Sequence, residues 1–155
     1  MLEWTLDSPV GAVLARVRLK GEITEAVHFD GRHIDADEVV LVGDGVRYIN
    51  STGVKRLLEY LEQQARRGHV VAERWSPALV AQLNLMPRLA SCVSIRSVIA
   101  PLECRECVAM VDILVDVDGA QRVPALPARR CEVCGGEMEL AELEGRYFAF
   151  LTASD

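Results

Sequence analysis

Two Cys-x-x-Cys pairs constrain this chain more than any other feature of its sequence. Cys104 and Cys107 form the first pair, and Cys131 and Cys134 form the second after an interval of 23 residues. Four thiolates at this spacing are typical of a single tetrahedral Zn²⁺ site, which requires the two pairs to meet in space. Because coordination by four cysteines leaves no open position on the metal, we predict a structural zinc ion and not a catalytic one.

Other interpretations of the four cysteines are a pair of redox dithiols or a chance coincidence. A redox Cys-x-x-Cys usually lies at a helix start beside an aromatic residue or a proline, and neither pair has such a neighbour. Pro101 precedes the first pair, and Asp118-Gly119 between the pairs is a hairpin signal. We therefore predict that residues 101–155 form a small β-rich, zinc-ribbon-like module in which the metal supplies much of the folding free energy.

The preceding residues have the alternating pattern of an α/β domain. We predict strands at 12–20, 39–42, 69–72 and 92–99, with Gly43-Asp44-Gly45 interrupting the second and an extended run resuming at 46–49. We also predict a short helix between 22 and 38, and two further helices after Asn50 and Ser76. The run Val39–Val42 is continuously apolar, as expected of a strand buried on both faces. Alternation of this kind favours a mainly parallel sheet packed with helices, which we assign to residues 1–100.

The junction between the strand ending at Ile49 and the next helix carries the second notable motif, Asn50-Ser51-Thr52-Gly53. Asn50 is a good N-cap, and the apolar residues of the following helix fall on one stripe. Ser51 and Thr52 then lie in the first turn, where a hydroxyl can bind a partner or carry a phosphate that the helix dipole stabilises. The alternative is an ordinary helix start, because Ser, Thr and Asn are common there.

Charge is unevenly distributed along the chain. Residues 1–100 contain 12 Lys/Arg and 12 Asp/Glu, whereas residues 101–155 contain 5 and 11, so the whole net charge of −6 lies in the last third. An acidic surface repels phosphate backbones, which argues against nucleic acid as a partner. We find no apolar run long enough to span a membrane and no signal peptide, so we predict a cytoplasmic protein.

The segment Val39–Val54 resembles the central signature of STAS domains, the fold of bacterial anti-sigma-factor antagonists. In that family a buried strand ends in Asp-Ser-Ser/Thr-Gly, and a helix follows. The resemblance extends over roughly residues 12–100 and includes Gly68-His69-Val70-Val71 and Ser76-Pro77. The zinc-ribbon-like tail lies outside the common STAS pattern, although tailed bacterial STAS-like proteins with an Asn-Ser-x-Gly-Val loop look similar throughout.

This resemblance implies a mechanism for the loop. Ser51 matches the serine on which a partner kinase places phosphate, and the unphosphorylated loop and helix start would dock onto that anti-sigma kinase. Phosphate would add charge and break the contact. The sequence departs from the family in two respects, since Asn50 replaces the usual acid and the first helix is shorter than in typical antagonists.

We therefore predict an α/β, STAS-like sheet domain followed by a zinc-ribbon-like module, acting as a non-enzymatic regulator in bacterial partner switching. Its partner would be an anti-sigma-factor-like or kinase-like protein that meets Asn50, Ser51, Thr52 and Gly53. Two alternatives remain open. One is a zinc-ribbon adaptor that contacts transcription machinery or nucleic acid, and the other is a nucleotide- or anion-binding protein that uses the same helix N-terminus.

Overall fold

The computed structural model describes residues 1–6, 13–120 and 122–151. They form nine strands, four α-helices and a short 3-10 helix at Ala149–Leu151. The strands are β1 (Glu3–Leu6), β2 (Leu14–Ile23), β3 (Glu38–Ile49), β4 (His69–Glu73), β5 (Ser94–Ile95), β6 (Ser97–Cys104), β7 (Met110–Asp116), β8 (Arg129–Arg130) and β9 (Glu137–Leu140). The helices are α1 (Ser51–Ala65), α2 (Pro77–Leu85), α3 (Pro87–Ser91) and α4 (Glu144–Tyr147).

The first five strands form one sheet in the order β1-β2-β3-β4-β5. β1 is antiparallel to β2, whereas the β2-β3, β3-β4 and β4-β5 pairs are parallel. Helix α1 connects β3 to β4, and α2 and α3 connect β4 to β5. This part of the chain is α/β, as the alternation in the sequence predicts.

A second, antiparallel sheet has the order β7-β6-β9-β8. The predicted last strand at 92–99 is divided between the sheets, because Ser94 and Ile95 pair with β4 whereas β6 starts at Ser97 and continues to Cys104. Pro101 lies inside β6, and its carbonyl accepts a hydrogen bond from the backbone N–H of Ala141 at 2.9 Å. The division at residue 100 stays a prediction, and β6 runs across it.

Buried apolar side chains of both sheets belong to one cluster. Trp75 lies within it, fully buried, and its Nε1 donates a hydrogen bond to the Leu41 carbonyl at 3.0 Å. The C-terminal segment packs against α2, where Asn84 donates to the Tyr147 carbonyl (2.8 Å) and accepts from the Phe150 N–H (2.9 Å). The two sheets therefore share a core.

The connection between β2 and β3 differs from the sequence prediction. Residues 24–37, all of which are described, form turns and no helix. The backbone of this connection is held instead by the side chain of Gln64 on α1, and Gln64 is completely buried. The Ile34 N–H donates to Gln64 Oε1 at 2.9 Å, and Gln64 Nε2 donates to the Ile34 carbonyl at 2.7 Å. A side chain from a neighbouring element thus replaces the hydrogen bonds that a helix would have made.

Strand β2 continues beyond Gly21, where the sequence predicts its end, and stops at Ile23. The first predicted residue of this strand, Ala12, lies outside the described residues. Gly21 has a φ of +116°, and a Cβ there would lie 2.2 Å from the Met1 carbonyl oxygen. Glycine is required here because the strand bulges where the N-terminal segment comes close.

The prediction of a hairpin at Asp118-Gly119 is wrong, because the strands before and after this turn do not pair with each other. Gly119 does turn the chain, with a φ of +72°. The returning segment, however, contributes β8 and β9 to the other side of β6, and β7 pairs with β6 alone among the described strands. The second cysteine pair therefore reaches the first through β9 and not through a partner of β7.

Replacing Gln64 by leucine should lower the free energy of unfolding by about 2–3 kcal/mol, because the N–H and the carbonyl of Ile34 both lose their partner. Gln63→Leu is the matched control, since Gln63 is exposed on the same helix; it should change stability by less than about 0.5 kcal/mol. Urea denaturation measures both. Equal effects of the two substitutions would contradict the role given to Gln64.

Candidate functional site

The structure brings the four predicted metal ligands together. One sulfur from each of Cys104, Cys107, Cys131 and Cys134 lies within 4.8 Å of every other. Two contacts join the pairs, with Cys104 Sγ 3.4 Å from Cys134 Sγ and Cys107 Sγ 3.6 Å from Cys131 Sγ. Such a cluster of soft donors can hold one metal ion. Cys92, the remaining cysteine, is not part of it.

The two cysteine turns repeat the same hydrogen bonds. In the first turn, Val108 N–H donates to the Cys104 carbonyl at 3.2 Å and Glu106 N–H points to the Cys104 sulfur at 3.4 Å. In the second turn, the corresponding bonds run from Gly135 to the Cys131 carbonyl (2.9 Å) and from Val133 to the Cys131 sulfur (3.4 Å). These N–H groups favour the thiolate form that a metal requires.

The effect of these dipoles is clearest at Cys131. Backbone N–H groups of Cys134 and Val133 lower the pKa of the Cys131 thiol to about 7. The pKa values of Cys107 and Cys134 are raised instead, because hydrogen bonds with the neighbouring sulfurs outweigh those from backbone N–H groups. Ionising all four thiols together therefore requires a cation that compensates their charge.

The two turns differ at the residue after the second cysteine. Gly135 has a φ of +77°, and nothing lies within 4 Å of the position that a Cβ would take. Val108 occupies the equivalent place with a φ of +58°, and its side chain is 70% exposed. The left-handed conformation is unfavourable for a β-branched residue by about 1–3 kcal/mol. Since the exposed side chain gains little from burial, the geometry of the cysteine cluster must hold Val108 in this conformation.

The Asn50-Ser51-Thr52-Gly53 motif forms the start of α1, as predicted. Asn50 Oδ1 accepts a hydrogen bond from the backbone N–H of Gly53 at 2.8 Å, which is the expected N-cap. A Cβ on Gly53 would lie 2.0 Å from the Ile23 carbonyl oxygen. The glycine is therefore fixed by the close approach of α1 to the end of β2. Ser51 and Thr52 remain exposed.

Glu25 belongs to this site, although no local signal in the sequence marks it. Its carboxylate accepts a hydrogen bond from Asn50 Nδ2 at 2.6 Å. That bond, with the Glu25 backbone N–H and the charge of Arg56, keeps the pKa of Glu25 below its ordinary value. The amide of Asn50 thus caps the helix with its oxygen and holds a carboxylate with its nitrogen. A negative charge lies beside the loop despite the loss of the acid expected at position 50.

Tyr48 also lies next to the motif, at the end of β3, and its side chain is 51% exposed. Exposed aromatic residues are enriched in protein-binding surfaces. We call the set Tyr48, Ser51, Thr52 and Glu25 the helix-start surface. A cavity of about 230 Å³ lies further along α1, around Arg56, Glu59 and Tyr60, and none of the four motif residues lines it.

A scan of the sequence against protein-family models gave no match, and a search of curated proteins gave no match either. In the described part of the chain, no helix combines the length and the apolar content needed to cross a membrane.

Removal of the metal should destabilise the protein by at least about 3 kcal/mol, which lowers the melting temperature by about 6–12 °C for a chain of this size. Elemental analysis of freshly purified protein should give one equivalent of metal. Cys107→Ser should reduce it to less than about half, whereas Cys92→Ser, the matched control, should leave it unchanged. Less than half an equivalent in the unaltered protein would contradict the site.

Val108→Gly should stabilise the metal-loaded protein by about 0.5–1.5 kcal/mol, because glycine accepts the left-handed conformation without strain. Val133→Gly is the control, since Val133 is 78% exposed in the other cysteine turn and does not have a positive φ. It should lose up to about 1 kcal/mol through chain entropy. Thermal unfolding compares the two, and a loss of stability in both variants would refute the strain at Val108.

Proposed function

We propose that this protein is a non-enzymatic interaction module of bacterial regulatory partner switching, working in the cytoplasm. In this proposal the first sheet and its helices are a STAS-like domain, and the helix-start surface docks an anti-sigma-factor-like or kinase-like protein. The observation that carries the proposal is the exposure of Ser51 and Thr52 beside Tyr48, on a helix start whose backbone is fixed by Asn50 and Gly53.

Rigid support of this kind favours binding. A partner that meets the first turn of α1 does not have to order it, because the cap and the packing of Gly53 already do so. Tyr48 offers a large contact area with few rotatable bonds, and the two hydroxyl groups offer hydrogen bonds. Serine at this position can also be switched, since a phosphate adds nearly two negative charges.

The charge of Glu25 would affect how a phosphate on Ser51 is placed. A phosphate on Ser51 would be attracted to the N-terminus of α1 and repelled by the carboxylate of Glu25 beside the loop. The added charge would then face the partner instead of folding back onto the loop. In this proposal Glu25 takes the electrostatic place of the acid that STAS sequences carry at position 50.

For the second sheet we propose a zinc-ribbon-like module with one structural Zn²⁺. Tetrahedral Zn–S bonds of about 2.3 Å require sulfurs about 3.8 Å apart, and the sulfur contacts of 3.4 and 3.6 Å are close to this distance. Four cysteine ligands fill the coordination shell, so the ion would hold the chain and would not activate water.

The binding proposal is tested by isolating the partner through co-purification and mass spectrometry, and then titrating it calorimetrically. Ser51→Glu should weaken binding by about tenfold, or about 1.4 kcal/mol, because it places a charge in the contact. Ser51→Ala should have a smaller effect, and Ser94→Glu, at an exposed serine on β5, should have none. Equal affinity of the unaltered protein and Ser51→Glu would refute the proposal.

A further inference from the structure

Strand β7 forms a free edge of the second sheet. It pairs with β6 along its whole length, from Met110 opposite Glu103 to Asp116 opposite Ser97. On its other side the described residues supply no strand, because the chain after Gly119 joins the sheet beyond β6. A free edge of seven residues offers its backbone groups to an added strand, and the charges of Asp112 and Asp116 keep identical edges apart.

Pro101 identifies the residues of β7 whose backbone points outward. The Pro101 carbonyl faces β9, where it accepts from the Ala141 N–H, and the residue opposite Pro101 on β7 is Asp112. In an antiparallel pair, the backbone N–H and C=O groups of two opposite residues either point toward each other or both point away from the pair. The N–H and C=O of Asp112 therefore point away from β6, toward the free edge.

The same direction holds at every second residue of β7. Ile99, opposite Leu114, confirms it, since the Ile99 N–H donates to the Trp75 carbonyl at 2.8 Å and not to β7. Met110, Asp112, Leu114 and Asp116 thus direct their N–H and C=O groups outward. No backbone hydrogen bond from the rest of the described chain reaches Met110, Asp112 or Leu114. This is the row of donors and acceptors that an added strand needs.

The side chains of the same four residues alternate between apolar and acidic. Met110 is 58% exposed and Leu114 is 52% exposed. Asp112 lies two residues after Met110 and Asp116 two residues after Leu114, and both are exposed. The buried face of β7 is formed by Ile113 and Val115, which belong to the core. Two exposed apolar groups are thus presented on a strand that does not need them for its own packing.

Charge argues against a second copy of the chain as the occupant. In the antiparallel register of two β7 strands centred on Ile113, each aspartate lies opposite Leu114 or Met110 and gains no charge partner. In the register centred on Leu114, Asp112 of each copy lies opposite Asp116 of the other. Like charges directly opposite each other across strands are destabilising. A strand carrying basic side chains at those places would instead form favourable cross-strand pairs.

We propose that β7 binds an extended segment of a partner protein that adds a strand to this edge. On the face that it shares with the exposed side chains of β7, this segment carries basic and apolar side chains in turn at every second residue. Its backbone bonds to the outward groups of β7, its basic residues face Asp112 and Asp116, and its apolar residues contact Met110 and Leu114. This surface is independent of the helix-start surface and of the function proposed for it. It gives the acidic module a binding role in addition to its metal.

The test uses the metal-loaded protein and the synthetic peptide acetyl-Lys-Thr-Val-Thr-Lys-Thr-Val-amide, in which lysine and valine take turns on one face. Nuclear magnetic resonance titration should shift the amides of β7, and hydrogen exchange of Asp112 and Leu114 should slow when the peptide is bound. A peptide with proline in place of the first valine should not bind, because that valine lies opposite an outward-facing residue of β7 and proline lacks the N–H that the ladder needs there. Ser51→Glu should bind the peptide like the unaltered protein.

Charge reversal gives the decisive comparison. The variant Asp112→Lys/Asp116→Lys should bind the lysine peptide about tenfold more weakly than the unaltered protein does. It should bind the peptide with glutamate in place of lysine more tightly. Glu142→Lys/Glu144→Lys changes the net charge equally at exposed sites elsewhere in the module and should leave the preference unchanged. Absence of binding, amide shifts confined to the helix-start surface, equal affinities for both peptides, or self-association through β7 would each overturn the proposal.

Discussion

The packing of Trp75 joins the two halves of this protein. Its indole N–H is bonded to the Leu41 carbonyl in the central strand of the first sheet, and its backbone bonds to Ser97 and Ile99 of β6. Gly43 makes room for the ring, since a Cβ there would lie 2.9 Å from the Trp75 side chain. The first sheet, α2 and the start of the second sheet therefore meet around one buried side chain, and the position of β6 follows from it.

The local features of the sequence were the most predictable. The helix after Asn50, its cap and the four cysteines could all be identified, because a cap, an apolar stripe and a ligand spacing are written in neighbouring residues. The motif residues Ser51 and Thr52 were placed at the helix start for the same reason. Their role as a docking surface and the STAS-like assignment are proposals that the sequence pattern motivates.

Features made by distant residues could not be predicted in the same way. Glu25 meets Asn50 only because β2 ends beside α1. Next to Tyr48, β4 has already ended at Glu73, so β2 alone among the described strands pairs with the end of β3. The pairing of β9 with β6 instead of β7 depends on a long connection whose sequence carries no register signal. Gln64 is an exception, since it lies on the apolar stripe with Leu57 and Leu61, and a polar residue there indicates a buried hydrogen bond.

Pro101 has a consequence for the length of the second sheet. Facing β9, it offers a carbonyl but no N–H, so the ladder between β6 and β9 loses a donor at that point. β9 ends at Leu140, one residue before the place opposite Pro101. The chain then leaves the sheet and turns into α4 and the 3-10 helix, which bring Tyr147 and Phe150 onto α2. The proline acts as a strand terminator for its neighbour, and it returns the C-terminus to the first half of the protein.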